Sequence, residues 1–263
     1  MSMQPFYFRA HERRLFGVLH PAVGQTRALV LMCPPLLHEH ARSHRFFSQV
    51  AGRLAADGVA CLRFDYHGTG DSEGDDADFS PERALEDIVC AASELRSRAG
   101  DHPLVLMGIR ASALLAFHAA GSAGADALWL WLPVIDGQAY VQSLEAGDLE
   151  ARCDRDRYPS RALPVVAERH ELMGFRTSER FRAQMASRSI TGADTSLPVA
   201  VVTGPATMPV VFAHGVHHEL PEVAADWVDE LDMRSIIHLR DAESVLQALL
   251  LELPQREAEV VNG

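Results

Sequence analysis

A chain of 263 residues is long enough for one α/β domain with a modest insertion and a fully buried sheet. Its 36 acidic and 24 basic side chains give a net charge of −12, which argues against nucleic acid or an anionic membrane as the main partner. The four cysteines are scattered without metal-binding or redox spacing, so we expect free thiols, a cytoplasmic location, and neither metal nor cofactor.

Strand and helix patterns alternate through the first half of the chain. Short apolar runs bounded by turn residues predict strands, and apolar residues at helical spacing predict helices between them. The predicted strands are 6–8, 15–19, 28–32, 59–64, 104–107 and 128–134. The predicted helices are 46–54, one starting at Ser80-Pro81 and reaching Leu95, and 113–120. This alternation predicts an α/β fold with a mostly parallel sheet and helices on both faces.

The second half predicts an interruption of the sheet followed by its completion. Residues 137–196 are rich in arginine and helical in pattern, which is typical of a helical insertion or lid. The predicted domain organisation is a first part of the core at 1–136, the insertion at 137–196, a second part at 197–255 and a polar tail at 256–263. Strands are predicted at 199–203, 210–213 and 236–239, and helical stripes at 223–231 and 245–253. No apolar run reaches the roughly 18 residues of a membrane span, and residues 1–10 lack the plan of a signal peptide.

The turn Gly108-Ile109-Arg110-Ala111-Ser112 joins a predicted buried strand to a helix of small residues. Small residues stand two positions before and two positions after Arg110. This pattern resembles the nucleophile elbow of α/β hydrolases, G-x-S-x-G, with arginine at the serine position. Centring the turn on Ser112 instead would place Arg110 and Leu114 where small residues are needed.

Two further motifs carry the resemblance. Pro34 to His40 is similar to the oxyanion loop of lipase-like hydrolases, and Arg63 to Gly74 (RFDYHGTGDSEG) is similar to the family turn D-x-x-G-x-G-x-S. The nearest resemblance is to the bacterial exosortase-associated hydrolase-like group, which shares a CPP loop. The resemblance covers residues 5 to 140 well and implies Leu36 and Ala111 as oxyanion-hole donors.

The same resemblance implies an acid and a histidine, and neither is found in its usual context. The H-G-x-x-D pattern reads His214-Gly215-Val216-His217-His218 here, without the acid, so Asp136 after an earlier strand is the candidate acid. His238 is the candidate histidine, although it falls inside the predicted last strand. Because an arginine is always protonated and is no nucleophile, ordinary Ser-His-Asp chemistry is not expected.

Two roles for Arg110 remain open on the sequence. At a helix N-terminus it would form a site for a carboxylate, phosphate or sulfate, with Ser112 and the histidines at 38, 217 and 218 around it. Alternatively, the Arg110 side chain would fold over and pair with Glu39 or Asp136, which would close the pocket in front of the turn. The histidines near Glu39 show no metal-binding spacing, so they predict no metal site.

The sequence supports two functional hypotheses and leaves enzymatic activity undecided. The first is an α/β-hydrolase-fold protein without a standard triad that binds a small anionic or acyl ligand or a protein partner. The alternative is an acyl ester, thioester or lactone hydrolase using non-serine chemistry, with Arg110 polarising a carbonyl and a histidine or Asp136 activating water. The oligomeric state is not indicated.

Overall fold

The computed structural model describes residues 3–153, 170–205, 212–225 and 238–254. Its centre is an eight-stranded sheet in the order β1-β2-β4-β3-β5-β6-β9-β10. The strands are β1 (Gln4–Ala10), β2 (Arg13–His20), β3 (Ala28–Cys33), β4 (Val59–Phe64), β5 (Leu104–Ile109), β6 (Ala127–Trp131), β9 (Val199–Thr203) and β10 (Gly215–Glu219), with β7 (Glu171–Leu172) and β8 (Phe175–Arg176) as a separate hairpin. Only β1–β2 and β2–β4 pair antiparallel, and the other five pairs of the sheet are parallel. The predicted mostly parallel sheet is confirmed.

Helices cover both faces of this sheet, as predicted. The helices are α1 (Leu37–Ala56), α2 (Pro81–Ala99), α3 (Ser112–Ala123), α4 (Gly137–Cys153), α5 (Glu179–Ala186), α6 (Glu222–Ala225) and α7 (Glu243–Leu251). Helices α2 and α3 pack on one face, and α1 and α7 pack on the other. All six residues of β3 are buried, since a central parallel strand is covered on both sides. None of the helices in these ranges is both long and apolar enough to cross a membrane.

Helix α1 begins nine residues earlier than its apolar stripe predicts. The stripe starts at Phe46, but the helix starts at Leu37 and carries Glu39 and Ser43 on the same buried face. Residues four apart share a helix face, so Glu39 and Ser43 continue the stripe with polar side chains. A prediction from apolar spacing alone therefore misses the first two turns.

The segment 137–196 contains α4, the β7–β8 hairpin and α5 among its described residues. The hairpin turns at Met173-Gly174, where both residues have positive φ, and its strands are two residues long. Strands this short are too brief for an alternating pattern, so the sequence indicated helices alone. Residues 154–169 lie outside the described part, and the predicted domain limits stay a prediction.

The end of the sheet differs from the prediction. The strand at 199–203 is confirmed as β9, but the next strand is β10 at Gly215–Glu219, where a loop was expected. Phe212 and Ala213 precede it as non-strand residues, and Leu239 begins a short 3-10 helix (Leu239–Ala242) where a strand end was expected. The rest of the predicted strands at 210–213 and 236–239, most of the helical stripe at 223–231 and the polar tail lie outside the described residues.

Candidate functional site

The turn between β5 and α3 is strained and closely packed. Arg110 has a φ of 54°, in the left-handed region that costs a residue with a side chain. A Cβ at Gly108 would lie 2.7 Å from the Cα of Ala113, so the strand and helix approach too closely for any other residue there. The Arg110 N–H donates to Trp131 O at 3.0 Å, and the Val134 N–H donates to Arg110 O at 3.1 Å. These bonds to the end of β6 hold the turn in its strained shape.

The Arg110 side chain folds onto α1. Its Nε donates to Glu39 Oε1 at 2.8 Å, and one terminal nitrogen donates to Leu132 O at 2.9 Å. The Arg110 side chain is 19% exposed and that of Glu39 is 4% exposed, so this is a largely buried ion pair. Of the two carboxylates that the sequence offered, the structure pairs Arg110 with Glu39. A guanidinium carries five N–H donors, so three remain after its contacts with described residues.

Glu39 depends on Arg110 for its charge balance. It lies in the first turn of α1, where the helix dipole favours a carboxylate. Its Oε2 is buried and has no hydrogen-bond partner among the described residues. Removing the guanidinium would therefore leave a buried carboxylate with no other cation at hydrogen-bond distance in the described part of the chain.

Ser112 is placed as a structural residue. It is fully buried, its hydroxyl donates to Pro34 O at 2.5 Å, and it accepts from the Tyr66 hydroxyl at 3.1 Å. Burial raises the pKa of Tyr66 well above its usual value and that of Cys33 beside it to about 12. The hydroxyl thus ties the end of β3 to α3 within a neutral, water-excluded network.

The predicted acid and histidine lie apart from the turn in the described part of the chain. Asp136 precedes α4, and its Oδ1 accepts from the Ala139 N–H at 2.8 Å, which is the bond of a helix cap. His238 is exposed at the start of the short 3-10 helix. Among the described residues neither side chain is hydrogen-bonded or ion-paired to Arg110.

The other predicted site residues divide between the turn and the far edge of the sheet. Leu36 and Ala111 are buried at the N-cap positions of α1 and α3, beside the turn, and His38 is half-buried in the first turn of α1. His217 and His218 lie in the edge strand β10, where His217 Nε2 is 2.6 Å from Thr203 Oγ1 and His218 Nε2 is 3.0 Å from Glu252 Oε1. They link β10 to β9 and to the residue that follows α7, whereas the sequence placed them in a loop.

A second polar cluster was missed by the sequence reasoning. Arg63, near the end of β4, donates from Nε to His20 Nε2 at 3.2 Å, and its terminal nitrogen lies 3.0 Å from His44 Nε2. His40 Nε2 lies 3.2 Å from Asp65 Oδ1, and the Asp71 N–H donates to Asp65 Oδ2 at 3.0 Å. His20 and Arg63 come from separate strands and His44 from a helix. For His20 and Arg63 the available signal was the strand alternation, in which they are polar residues on an otherwise apolar face.

Charge and burial shift the pKa values in this cluster. Burial lowers the pKa of His20 to about 4, and the charge of Arg63 adds to the effect. The same causes lower the pKa of His44. Although burial opposes it, the pKa of Asp65 is lowered by the hydrogen bond and charge of His40 and by the Asp71 N–H. Both imidazoles that contact Arg63 are therefore held neutral near pH 7.

Comparisons with known proteins agree on the fold. The family model described as "Serine aminopeptidase, S33" matches residues 24–191. Est1E from Butyrivibrio proteoclasticus, solved with ferulic acid, is similar over 94% of this chain and 98% of its own, at 17% identity and a TM-score of 0.68. A thermostable carboxyl esterase from Bacillus coagulans is similar over 96% and 98%, at 13% identity and a TM-score of 0.62. The search of curated proteins found no match. The structural neighbours establish the α/β-hydrolase fold.

Proposed function

The chain belongs to the serine aminopeptidase S33 family of α/β hydrolases, and we propose that it is a member without serine chemistry that binds a small acyl ligand. In this proposal Arg110 stands at the nucleophile position of the elbow. The observation that carries it is the ion pair between Arg110 and Glu39 at the tip of the strained turn. Within the superfamily, we propose the exosortase-associated hydrolase-like group as the nearest subgroup.

The chemistry of the turn supports the absence of a nucleophile. A guanidinium stays protonated throughout the physiological range and has no lone pair for attack on a carbonyl. Ser112, the nearest hydroxyl in the turn, is fully buried and donates its hydrogen to Pro34 O. A serine nucleophile needs an exposed oxygen and a base at hydrogen-bond distance, and Ser112 has neither among the described residues.

The candidate acid and base positions support the same proposal. Asp136 is occupied by the Ala139 N–H at the start of α4, and His217 and His218 are engaged at the β10 edge. These side chains have structural partners, so they are not poised as a proton relay to the turn. The alternative of water activated by a histidine or Asp136 therefore gains no specific support.

The charge of the site indicates the type of ligand. Glu39 neutralises Arg110, so the pair as a whole attracts a free anion weakly. The three remaining N–H donors of the guanidinium suit a neutral acceptor such as the carbonyl oxygen of an ester, thioester or amide. The carboxyl ends of parallel strands, where this turn lies, are the usual ligand site of open α/β sheets. An acyl ligand held by its carbonyl oxygen fits these conditions best.

The test of the missing nucleophile compares the wild type with Arg110→Ser. Both proteins are treated with a fluorophosphonate probe and with a panel of acyl esters and thioesters, and adducts are located by mass spectrometry. We expect no adduct and no turnover from either protein, because restoring the serine does not restore a base. Labelling of the wild type, or turnover that Arg110→Ala abolishes, would contradict the proposal and favour non-serine catalysis.

The test of ligand binding uses non-hydrolysable acyl amides of increasing chain length, measured by calorimetry. Arg110→Lys keeps a positive charge for Glu39 but loses the planar fork of donors, so we expect at least a fivefold weaker affinity. Arg45→Lys, on an exposed residue of α1, is the matched control and should bind as the wild type does. Equal binding by Arg110→Lys and the wild type would place the ligand elsewhere.

A further inference from the structure

A cavity lies on the α1 side of the sheet, beside the N-terminal half of that helix. Strand side chains alternate between faces, so Phe16, Val18 and His20 of β2 share this face with Arg63 of β4. The empty space at the cavity is about 400 Å³, much of which is open to solvent, so the enclosed part is small. Its apolar walls include Phe16, Val18, Met32, Phe47 and Ile109. A group of polar side chains lies at one side of it, namely His40, His44, Arg63 and Asp65.

Arg63 is a half-buried cation without a carboxylate partner. Among the described residues no carboxylate oxygen lies within 4.0 Å of its nitrogens, and its two contacts are the imidazoles of His20 and His44. The second terminal nitrogen of the guanidinium, with its two N–H donors, has no contact in the described part of the chain. Charges taken out of water are usually paired, so this guanidinium is an exception that needs an explanation.

No neighbouring acid of the described residues contacts Arg63, although the charge of Asp65 acts on it at longer range. Asp65 is engaged by His40 at 3.2 Å and by the Asp71 N–H at 3.0 Å. Two neutral imidazoles accept hydrogen bonds from Arg63 and fix its direction without balancing its charge. The guanidinium is thus oriented and desolvated on the wall of an apolar cavity, which is the arrangement that recognises a bidentate anion.

We propose that this cavity binds a small carboxylate with an apolar body, with Arg63 holding the carboxylate and the walls at Val18, Met32 and Phe47 holding the body. Because the cavity is partly open to solvent, the apolar body of such a ligand can extend out of it, and octanoate is the probe that we choose. This site is separate from the Arg110–Glu39 pair, whose charge is already balanced, and it does not rest on the proposed function. A neutral analogue of the same shape would lack the charge that Arg63 requires.

The experiment titrates octanoate and octanamide into protein carrying ¹³C-methyl methionine and follows the methyl signal of Met32 by NMR. Octanoate and octanamide differ in charge but hardly in shape. We expect octanoate to shift the Met32 signal saturably, and octanamide to require at least a tenfold higher concentration. Because Met32 lines the cavity, the shift reports the place of binding as well as its strength.

Variants separate this site from the turn. Arg63→Leu should weaken octanoate at least tenfold, whereas Arg45→Leu, which removes an exposed arginine of α1, should titrate as the wild type does. Val18→Trp, which fills the cavity while keeping Arg63, should also abolish the Met32 shift. The wild-type comparison of octanoate with octanamide remains decisive if a variant fails to fold.

Three results would overturn the proposal. The first is equal affinity for octanoate and octanamide, and the second is no saturable Met32 shift in the wild type up to 20 mM octanoate. The third is octanoate binding that Arg110→Lys abolishes and Arg63→Leu leaves intact. That last result would place carboxylate binding at the turn, so the failure of this inference is distinguishable from failure of the proposed function.

Discussion

Two arginines at the carboxyl end of the sheet are compensated in opposite ways. Arg110, directly after β5, meets the buried carboxylate of Glu39, and its second bond goes to a backbone carbonyl. Arg63, near the end of β4, meets two imidazoles and no carboxylate within 4.0 Å in the described part of the chain. The first charge has a carboxylate in contact, and the second is oriented by imidazoles and feels the charge of Asp65 only at longer range.

These two environments suit the arginines to different roles. A balanced, largely buried pair fixes the turn, and under the proposed function it leaves only hydrogen-bond donors for a neutral carbonyl. An unbalanced guanidinium on an apolar cavity gains most from an anion of external origin. We therefore propose that the turn at Arg110 acts as a structural clamp and that the charge used for recognition lies on β4.

The largest expected effect comes from removing Arg110. Arg110→Met leaves Glu39 buried without its cation, and we expect the free energy of unfolding to fall by about 3 kcal/mol. Urea unfolding followed by circular dichroism measures it, with Arg45→Met as the matched control on an exposed site of α1. A loss below about 1 kcal/mol would put the pair in the range of exposed ion pairs, and Arg110 would then not differ from Arg63 in this respect.

The next effect tests whether the imidazoles around Arg63 are neutral. Because burial lowers the pKa of His20 to about 4, below its value of 6.5 in the unfolded chain, the unfolded state takes up a proton first as the pH falls. This group contributes nothing above pH 6.5 and costs about 2 kcal/mol of stability by pH 5. His20→Gln keeps an acceptor for Arg63 and should lose that much less stability between pH 7 and 5. Parallel pH profiles for both proteins would show that His20 is not held neutral.

A smaller effect concerns the buried hydroxyl beside the Arg110 turn. Ser112→Ala removes the partner of the Tyr66 hydroxyl and of Pro34 O, so we expect a loss of about 1.5 kcal/mol. Ser187→Ala, which removes an exposed hydroxyl bonded to Gln184 O, should change stability by less than about 0.5 kcal/mol. An equal, small change in both variants would mean that Ser112 is not the buried link described here.

The smallest effect is expected at Arg63 itself. Arg63→Leu leaves no carboxylate unpaired and relieves the desolvation of a charge, so the free energy of unfolding should change by less than about 1 kcal/mol. Thermal and urea unfolding of this variant without added ligand measure it. A loss as large as that of Arg110→Met would show that Arg63 is a structural cation, and the two arginines would then be alike.

The sequence predicted correctly those features whose signal lies in neighbouring residues. The strands at 59–64 and 199–203 were predicted to the residue, because an apolar run bounded by breakers is a local signal. The strained turn at Arg110 was predicted for the same reason, since Gly108 and the helix of small residues adjoin it. Strand β10 was missed because His217, His218 and Glu219 present polar side chains at an exposed edge.

The site itself needed contacts between distant segments. Sequence reasoning offered Glu39 and Asp136 as partners of Arg110, and the choice fell to Glu39 because α1 begins early enough to bury it against the turn. Nothing local joins His20, His44 and Arg63, which meet only when β2, β4 and α1 are assembled. Asp136 was predicted as a catalytic acid because, in the sequence, an aspartate that caps the following helix looks the same as a catalytic aspartate after a strand. The structure shows that Asp136 caps α4.

The central claim is that Arg110 is committed to Glu39. A double-mutant cycle tests it most directly, with urea unfolding of the wild type, Arg110→Met, Glu39→Gln and the double variant. The account predicts a coupling energy of at least about 2 kcal/mol, because the double variant leaves no buried charge unpaired. A coupling energy below about 0.5 kcal/mol would show that the two side chains act independently and would contradict the account.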